Sequence, residues 1–175
     1  MTAARDPHDL ARLIRDVPDF PEPGIVFRDV APLLAEPAAF EAAVRGLAEL
    51  AEDVDAVVGI ESRGFILGAP VALRTGAGFV PARKAGKLPG ETVSVAFALE
   101  YGEAVLELQA GAITAGQRVL IVDDVLATGG TAAAAAALVE QLGGEVVGLS
   151  FLLELSALRG ADRLTGYRYA SLLTY

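Results

Sequence analysis

Residues 119–131, Val-Leu-Ile-Val-Asp-Asp-Val-Leu-Ala-Thr-Gly-Gly-Thr, constrain this chain more than any other stretch. Four consecutive apolar residues, Val119 to Val122, predict a strand buried on both faces. Two carboxylates, Asp123 and Asp124, follow, and a turn of small residues opens a helix predicted over Thr131 to Leu142. Backbone N–H groups from Ala127 to Thr131 would converge on one anion, with the partial positive charge of the helix N-terminus behind them. Gly129 and Gly130 permit positive φ and close approach, while Thr128 and Thr131 add hydroxyl donors. Asp123 and Asp124 would repel a phosphate beside them, but they suit the two hydroxyls of a ribose. The competing reading has one Asp capping the turn and the glycines merely ending a strand. It accounts for a glycine pair and leaves the ordered series unexplained.

The rest of the chain repeats the same rhythm. Leu10, Leu13, Ile14 and Val17 stand at helical spacing from His8 to Val17, up to Pro18. Phe20 to Asp29 carries too many prolines for a regular element and predicts a stiffened, ordered loop. Pro37 to Glu52 is helical in period. Ala56 to Ile60, Phe79 to Ala82, Thr92 to Phe97, Arg118 to Val122 and Glu145 to Leu153 predict strands, and Phe65 to Leu73 another helix. Alternating strands and helices point to an α/β domain with a mainly parallel central sheet flanked by helices. Ligands of such sheets sit beyond the carboxyl ends of the strands.

Composition closes off other classes. The 175 residues suit one domain, 1–175, and the 53% hydrophobic content supports a sizeable core. Charged residues sum to 14 − 23 = −9, so binding to nucleic acid or to an anionic membrane is not expected. No apolar run approaches the ~18 residues of a membrane span. Met1 to Asp6 lacks the apolar core of a signal peptide, so a cytoplasmic protein is expected. With no cysteine and a single histidine, His8, thiol catalysis, a Ser-His-Asp triad and a multi-histidine metal site are poor fits.

Cations are distributed unevenly. Arginine outnumbers lysine twelve to two, and both lysines, Lys84 and Lys87, sit beside Arg83 and ahead of Leu88-Pro89-Gly90. A basic, glycine-punctuated loop on an acidic protein suggests a lid over an anionic leaving group, placed at about 83–96. A solvated hairpin is the plainer alternative. Arg63, in Gly59-Ile60-Glu61-Ser62-Arg63-Gly64, offers a second fork of donors at a strand end.

The acid-glycine series resembles the ribose-phosphate signature of the type I phosphoribosyltransferases. The likeness extends over nearly the whole chain, most closely to the adenine-using members. It is carried by Asp19-Phe20-Pro21, Pro23 to Asp29, Ser62 to Phe65, Arg83-Lys84, Gly86 to Gly90 and Leu99-Glu100-Tyr101-Gly102. Gly76 and Gly78 lack the third glycine of a dinucleotide fingerprint, and Gly86-Lys87 does not complete a Walker loop. The resemblance implies the family fold, with a small N-terminal hood over about residues 1–35 and a flexible lid. It implies a non-proline cis peptide at Glu61-Ser62 and a diphosphate clamp built on Glu61, Ser62 and Arg63, helped by Arg83, Lys84 and Lys87. Val26, Phe27 and Arg28 would receive the base, with Phe27 stacking and Leu155 as the opposite apolar face. Glu100 would manage the purine proton and Tyr101 would support the lid, with Arg63 the third catalytic residue.

The implied reaction joins adenine to 5-phosphoribosyl 1-diphosphate, giving AMP and diphosphate, with magnesium as cofactor. The metal is expected on the substrate diphosphate, near Asp123 and Asp124 through water, without direct protein ligation. A homodimer is expected. Ala161 and Glu61 depart from common family residues, and Arg159 to Leu164 is expected to lie past the site. Two alternatives remain beside this reading. One is the same chemistry on hypoxanthine or xanthine. The other is a silent regulator that senses phosphoribosyl diphosphate. Phe27-Arg28 and Glu100-Tyr101 weigh against the first. Neither the length nor the charge leaves much room for a DNA-binding domain or a basic face, which weighs against the second.

Overall fold

The computed structural model describes residues 7–98 and 103–175. Nine strands and five α-helices follow one another among those residues. A seven-stranded sheet has the order β5-β6-β4-β3-β7-β8-β9, and a separate two-stranded ribbon pairs β1 with β2. In the large sheet β3 (Ala56–Ile60) is flanked in parallel by β4 (Gly78–Lys84) and β7 (Arg118–Leu126). β8 (Glu145–Glu154) and β9 (Tyr169–Thr174) extend it in parallel. β6 (Glu103–Gln109) joins antiparallel to β4 and to β5 (Thr92–Ala98).

Two cores follow from the alternation along β7. Val119 and Ile121 point to the face covered by α5 (Gly130–Gln141) and the β5-β6 hairpin. Leu120 and Val122 point to the face covered by α2 (Ala31–Ala35), α3 (Pro37–Leu47) and α4 (Arg63–Thr75). Val119 to Val122 are all 0% exposed, so the apolar run fills both layers at once. The alanine run 132–137 lets α5 lie close against the sheet, with Ala135 and Ala136 fully buried.

Several expectations are corrected here. The N-terminal helix is only Pro7–Ala11 (α1), and Arg15–Pro18 forms β1 instead. The proline-rich segment is not all loop, because Val26–Asp29 forms β2 against it. Opposite charges on facing strands override the helical spacing: Arg15 stands across from Asp29, and Asp16 from Arg28. β7 does not stop at Val122 but carries Asp123 and Asp124 inside the strand, still paired to β8. Residues 92–96 of the expected lid lie in β5, so the turn proper is 85–91. None of the described helices is long and apolar enough to cross a membrane.

Candidate active site

After β3 the chain turns to β4 on one side, and after β7 it proceeds to β8 and β9 on the other. The crevice beyond β3 and β7 is therefore the topological switch point of the sheet. A cavity of about 970 Å³ opens there, lined by Glu61, Ser62, Arg63, Lys84, Asp123, Asp124, Ala127 and Thr131, with Phe97 and Ala104 on its far wall. A niche of about 60 Å³ adjoins it, bounded by Asp123 and residues 125–132. That niche has room for one small anion against the main chain of Ala127, Thr128, Gly129, Gly130 and Thr131.

The niche owes its shape to two glycines from different elements. Gly129 precedes α5 at φ +78°, and a Cβ there would lie 2.3 Å from the Gly160 carbonyl oxygen. A Cβ on Gly160 would lie 2.2 Å from the carbonyl oxygen of Ala127. Neither position accepts a side chain without moving backbone, so the 3-10 turn Gly160–Leu164 buttresses the anion loop. This corrects the placement of Arg159 to Leu164 past the site. Nothing local in Arg-Gly-Ala-Asp marks Gly160, and its partner lies some thirty residues away in sequence.

The two acids differ in surroundings. Asp124 is 4% exposed, and its Oδ2 lies 2.7 Å from the Arg63 Nε in an ion pair. The N–H is not aligned with that oxygen, which accepts no hydrogen bond among the described residues. Asp123 Oδ1 accepts the N–H of Asp124 at 2.9 Å. Burial pushes the Asp123 carboxyl well above the usual carboxylate range, and the charge of Asp124 pushes it further. Burial also raises Asp124, while Arg63 opposes the shift. A diol donating two hydroxyls would relieve both groups.

Arg63 is the hinge of the arrangement. It opens α4, and its guanidinium carbon stands 5.2 Å from the centre of the Phe27 ring. One side chain thus spans from the acid pair to the expected base platform. The peptide Glu61-Ser62 is cis, as the resemblance implies. Glu61 Oε2 accepts from Arg83 Nε at 3.0 Å and from the Lys84 N–H at 3.2 Å, and Arg83 Nη1 donates to the Lys87 carbonyl at 3.0 Å. The turn is tied in this way to the loop after β3. Lys84 lines the cavity, whereas Lys87 is exposed on the turn and Arg83 reaches the site through Glu61.

On the base side, Val26 is 47% exposed. Phe27 packs edge-on against Phe20 with centroids 5.2 Å apart. Arg28 pairs with Asp16 and lies 4.4 Å over the ring of Tyr175. The N–H of Leu155 donates to the carbonyl of Leu126 at the end of β7. Tyr175 is a residue the sequence reading missed. Glu100 and Tyr101 lie outside the described residues. Among the described residues no group of three or more Asp, Glu, His or Cys forms a cluster suited to direct metal ligation.

A parallel sheet with a diol-sized acid pair, an amide niche and a cationic loop at its switch point defines a protein that binds a phosphorylated sugar. The model of the phosphoribosyl transferase domain matches residues 30–172, and the chain belongs to that family. Within the family its relatives are adenine phosphoribosyltransferases. The enzyme of that name from Thermobifida fusca is 55% identical over 165 residues, covering 93% of this chain and 94% of its own length. The crystal structure of the Thermoanaerobacter pseudethanolicus enzyme superposes with a TM-score of 0.93 at 48% identity, covering 97% and 99% of the two chains. That of the Saccharomyces cerevisiae enzyme, complexed with an imino-altritol bisphosphate and adenine, gives 0.90 at 43% identity, covering 95% and 98%.

Proposed function

We propose that this chain transfers the 5-phosphoribosyl group from 5-phosphoribosyl 1-diphosphate to adenine in purine salvage, releasing AMP and diphosphate. The observation that carries the reading is the cavity at the β3-β7 crevice, where the Asp123-Asp124 pair adjoins the amide niche of residues 127–131. The terminal phosphate occupies that niche against the main-chain N–H groups and the hydroxyls of Thr128 and Thr131. The ribose diol donates to Asp123 and Asp124. The leaving diphosphate lies against Ser62, Arg63 and Lys84, with Lys87 brought over it by the turn that Glu61 and Arg83 anchor. Adenine stacks on Phe27, with Leu155 opposite and the main chain of Val26 and Arg28 reading its edge.

A purine nitrogen forms the new bond to the anomeric carbon as the bond from that carbon to the diphosphate oxygen breaks. The purine N–H proton passes to Glu100, and Tyr101 closes the site against water. Phe97 and Ala104, the described residues on either side of this segment, line the cavity. Magnesium would fit the carboxylates of Asp123 and Asp124, which line the cavity wall. Asp123 and Asp124 would reach such an ion, carried on the substrate diphosphate, through water, and it would supply positive charge to the leaving group. The chain works in the cytoplasm as a homodimer in this reading. The half-exposed Ile66 and the 85% exposed Leu73 on α4 support a second copy.

A panel of bases tests the assignment. Protein, magnesium and phosphoribosyl diphosphate are mixed with adenine, hypoxanthine, guanine or xanthine, and diphosphate release is followed. Release with adenine alone is expected. Release with the oxopurines instead would reassign the base, and binding without release would make the chain a sensor.

A further inference from the structure

Tyr175 belongs to no element that the proposed chemistry uses, yet it fastens three parts of the site together. Its N–H donates to the Glu154 carbonyl at 2.9 Å. Its carbonyl accepts the N–H of Ser156 at 2.9 Å and the Ser156 hydroxyl at 2.8 Å. Those partners flank Leu155, which is itself held to the end of β7 by its 2.9 Å bond to Leu126. The backbone of Tyr175 is thus fixed at the sheet edge on both sides of the expected base-contacting leucine.

The side chain reaches the other way. Its ring lies 4.4 Å from the Arg28 guanidinium carbon, and that guanidinium also pairs with Asp16. Arg28 adjoins Phe27, whose ring meets Arg63, and Arg63 meets Asp124. The hairpin carrying Phe27 and Arg28 has only four residues in each strand. A ribbon that short does not hold its own position in water. Its placement depends on what grips it from outside, and the Tyr175 ring grips Arg28 while Asp16 binds Arg28 from the facing strand of the hairpin itself. The phenol is neutral at physiological pH, as an ordinary tyrosine is, and burial raises its pKa further.

We infer that Tyr175 is a positioning residue for the base: its ring holds Arg28, and with it the β1-β2 hairpin, over Leu155 so that Phe27 presents its face to the purine. The inference rests on the base-binding role proposed above for Val26, Phe27 and Arg28. The ring, not the hydroxyl, makes the contact, so phenylalanine substitutes for tyrosine and an aliphatic residue does not.

Steady-state kinetics on the full chain decide the matter, with kcat and both KM values measured for Tyr175→Leu, Tyr175→Phe and Phe27→Ala. Tyr175→Leu is expected to raise the KM for adenine about tenfold, leaving kcat and the KM for phosphoribosyl diphosphate within about twofold. Tyr175→Phe restores the adenine KM to within about twofold of the parent. An unchanged adenine KM in Tyr175→Leu, an equal rise in both KM values, or a Tyr175→Phe variant as impaired as Tyr175→Leu each overturns the inference. Phe27→Ala separates the two levels. If it raises the adenine KM while Tyr175→Leu does not, only the role of Tyr175 fails. If Phe27→Ala leaves the adenine KM alone, the base site itself is misplaced. Should Tyr175→Leu not fold, Asp16→Asn loosens Arg28 from its other side on an exposed strand. A two- to threefold rise confined to the adenine KM is expected there, and no rise overturns the inference.

Discussion

The anion loop follows the strand whose Asp124 pairs with Arg63, the hairpin β1-β2 brings Phe27 to the same guanidinium, and the two regions are built on opposite principles. The loop recognises with main chain. Its donors are peptide N–H groups fixed by a strand, a helix and the Gly129-Gly160 contact. In the hairpin the exposed side chains are held by other side chains: Phe27 by Phe20 and Arg63, Arg28 by Asp16 and Tyr175. An acidic protein gains from the first arrangement, because amides bind phosphate without a cluster of cations. The second leaves apolar residues exposed, with Phe20 at 51% and Val26 at 47%, as a surface awaiting a planar partner must.

The sharpest breaks in this comparison are kinetic. Glu100→Gln, on the proposed role of that residue, is expected to lower kcat by about 100-fold or more while both substrates still bind. Unchanged turnover at saturation would remove its role in proton transfer. Gly160→Ala drives a methyl group into the Ala127 carbonyl and displaces the anion loop. A fall of about 100-fold in kcat/KM for phosphoribosyl diphosphate is expected, with circular dichroism unchanged. A loss of only a few-fold would show that the loop tolerates movement.

Asp123→Asn combined with Asp124→Asn should weaken phosphoribosyl diphosphate about 10- to 100-fold by calorimetry, with adenine sites untouched. Parent-like affinity would dissociate the acids from the ribose. Stability should respond in the opposite direction. Both acids have folded pKa values raised by burial, so their contribution is full below the ordinary carboxylate range and is lost as pH climbs through the raised values. Asp123→Asn is therefore expected to raise the Tm at neutral pH by a few degrees, with the gain vanishing in acid. A Tm gain independent of pH would contradict that origin.

Asp29 in the hairpin has the opposite sign. Its pKa is lowered first by the N–H of Ala31, then by Arg15. The stability it adds is present above the ordinary carboxylate range and fades as pH falls through the lowered value. Asp29→Asn should change the Tm least of all these variants, and only at neutral pH, because exposed ion pairs contribute little. A loss as large as that of a core substitution would mean that the hairpin is more rigidly anchored than Tyr175 and Arg63 imply.

The same contrast explains what could be read in advance. Val119 to Thr131 is contiguous, so an apolar run, two acids, two glycines and a helix carried both local structure and chemistry in one stretch of sequence. Ala56 to Ile60 matched β3 residue for residue because a fully buried strand has an unmistakable pattern. Residues 8–29 misled because Leu10, Leu13, Ile14 and Val17 satisfy a helix period, while β1 is held by cross-strand charges that periodicity does not register. Thr92 to Phe97, read as a strand from its alternation, lies within β5.

By itself the sequence determined the alternation of strands and helices, the order of the ribose-phosphate segment and the family resemblance. All of these are properties of neighbouring residues. Only the tertiary structure decided that Gly160 lies against Gly129, that Arg63 joins Asp124 to Phe27, and that Tyr175 grips Arg28. Those contacts join residues between thirty and nearly one hundred and fifty positions apart. They exist because packing both faces of a twisted parallel sheet brings the loops at its carboxyl edge to one place, and no local pattern encodes which of them will touch.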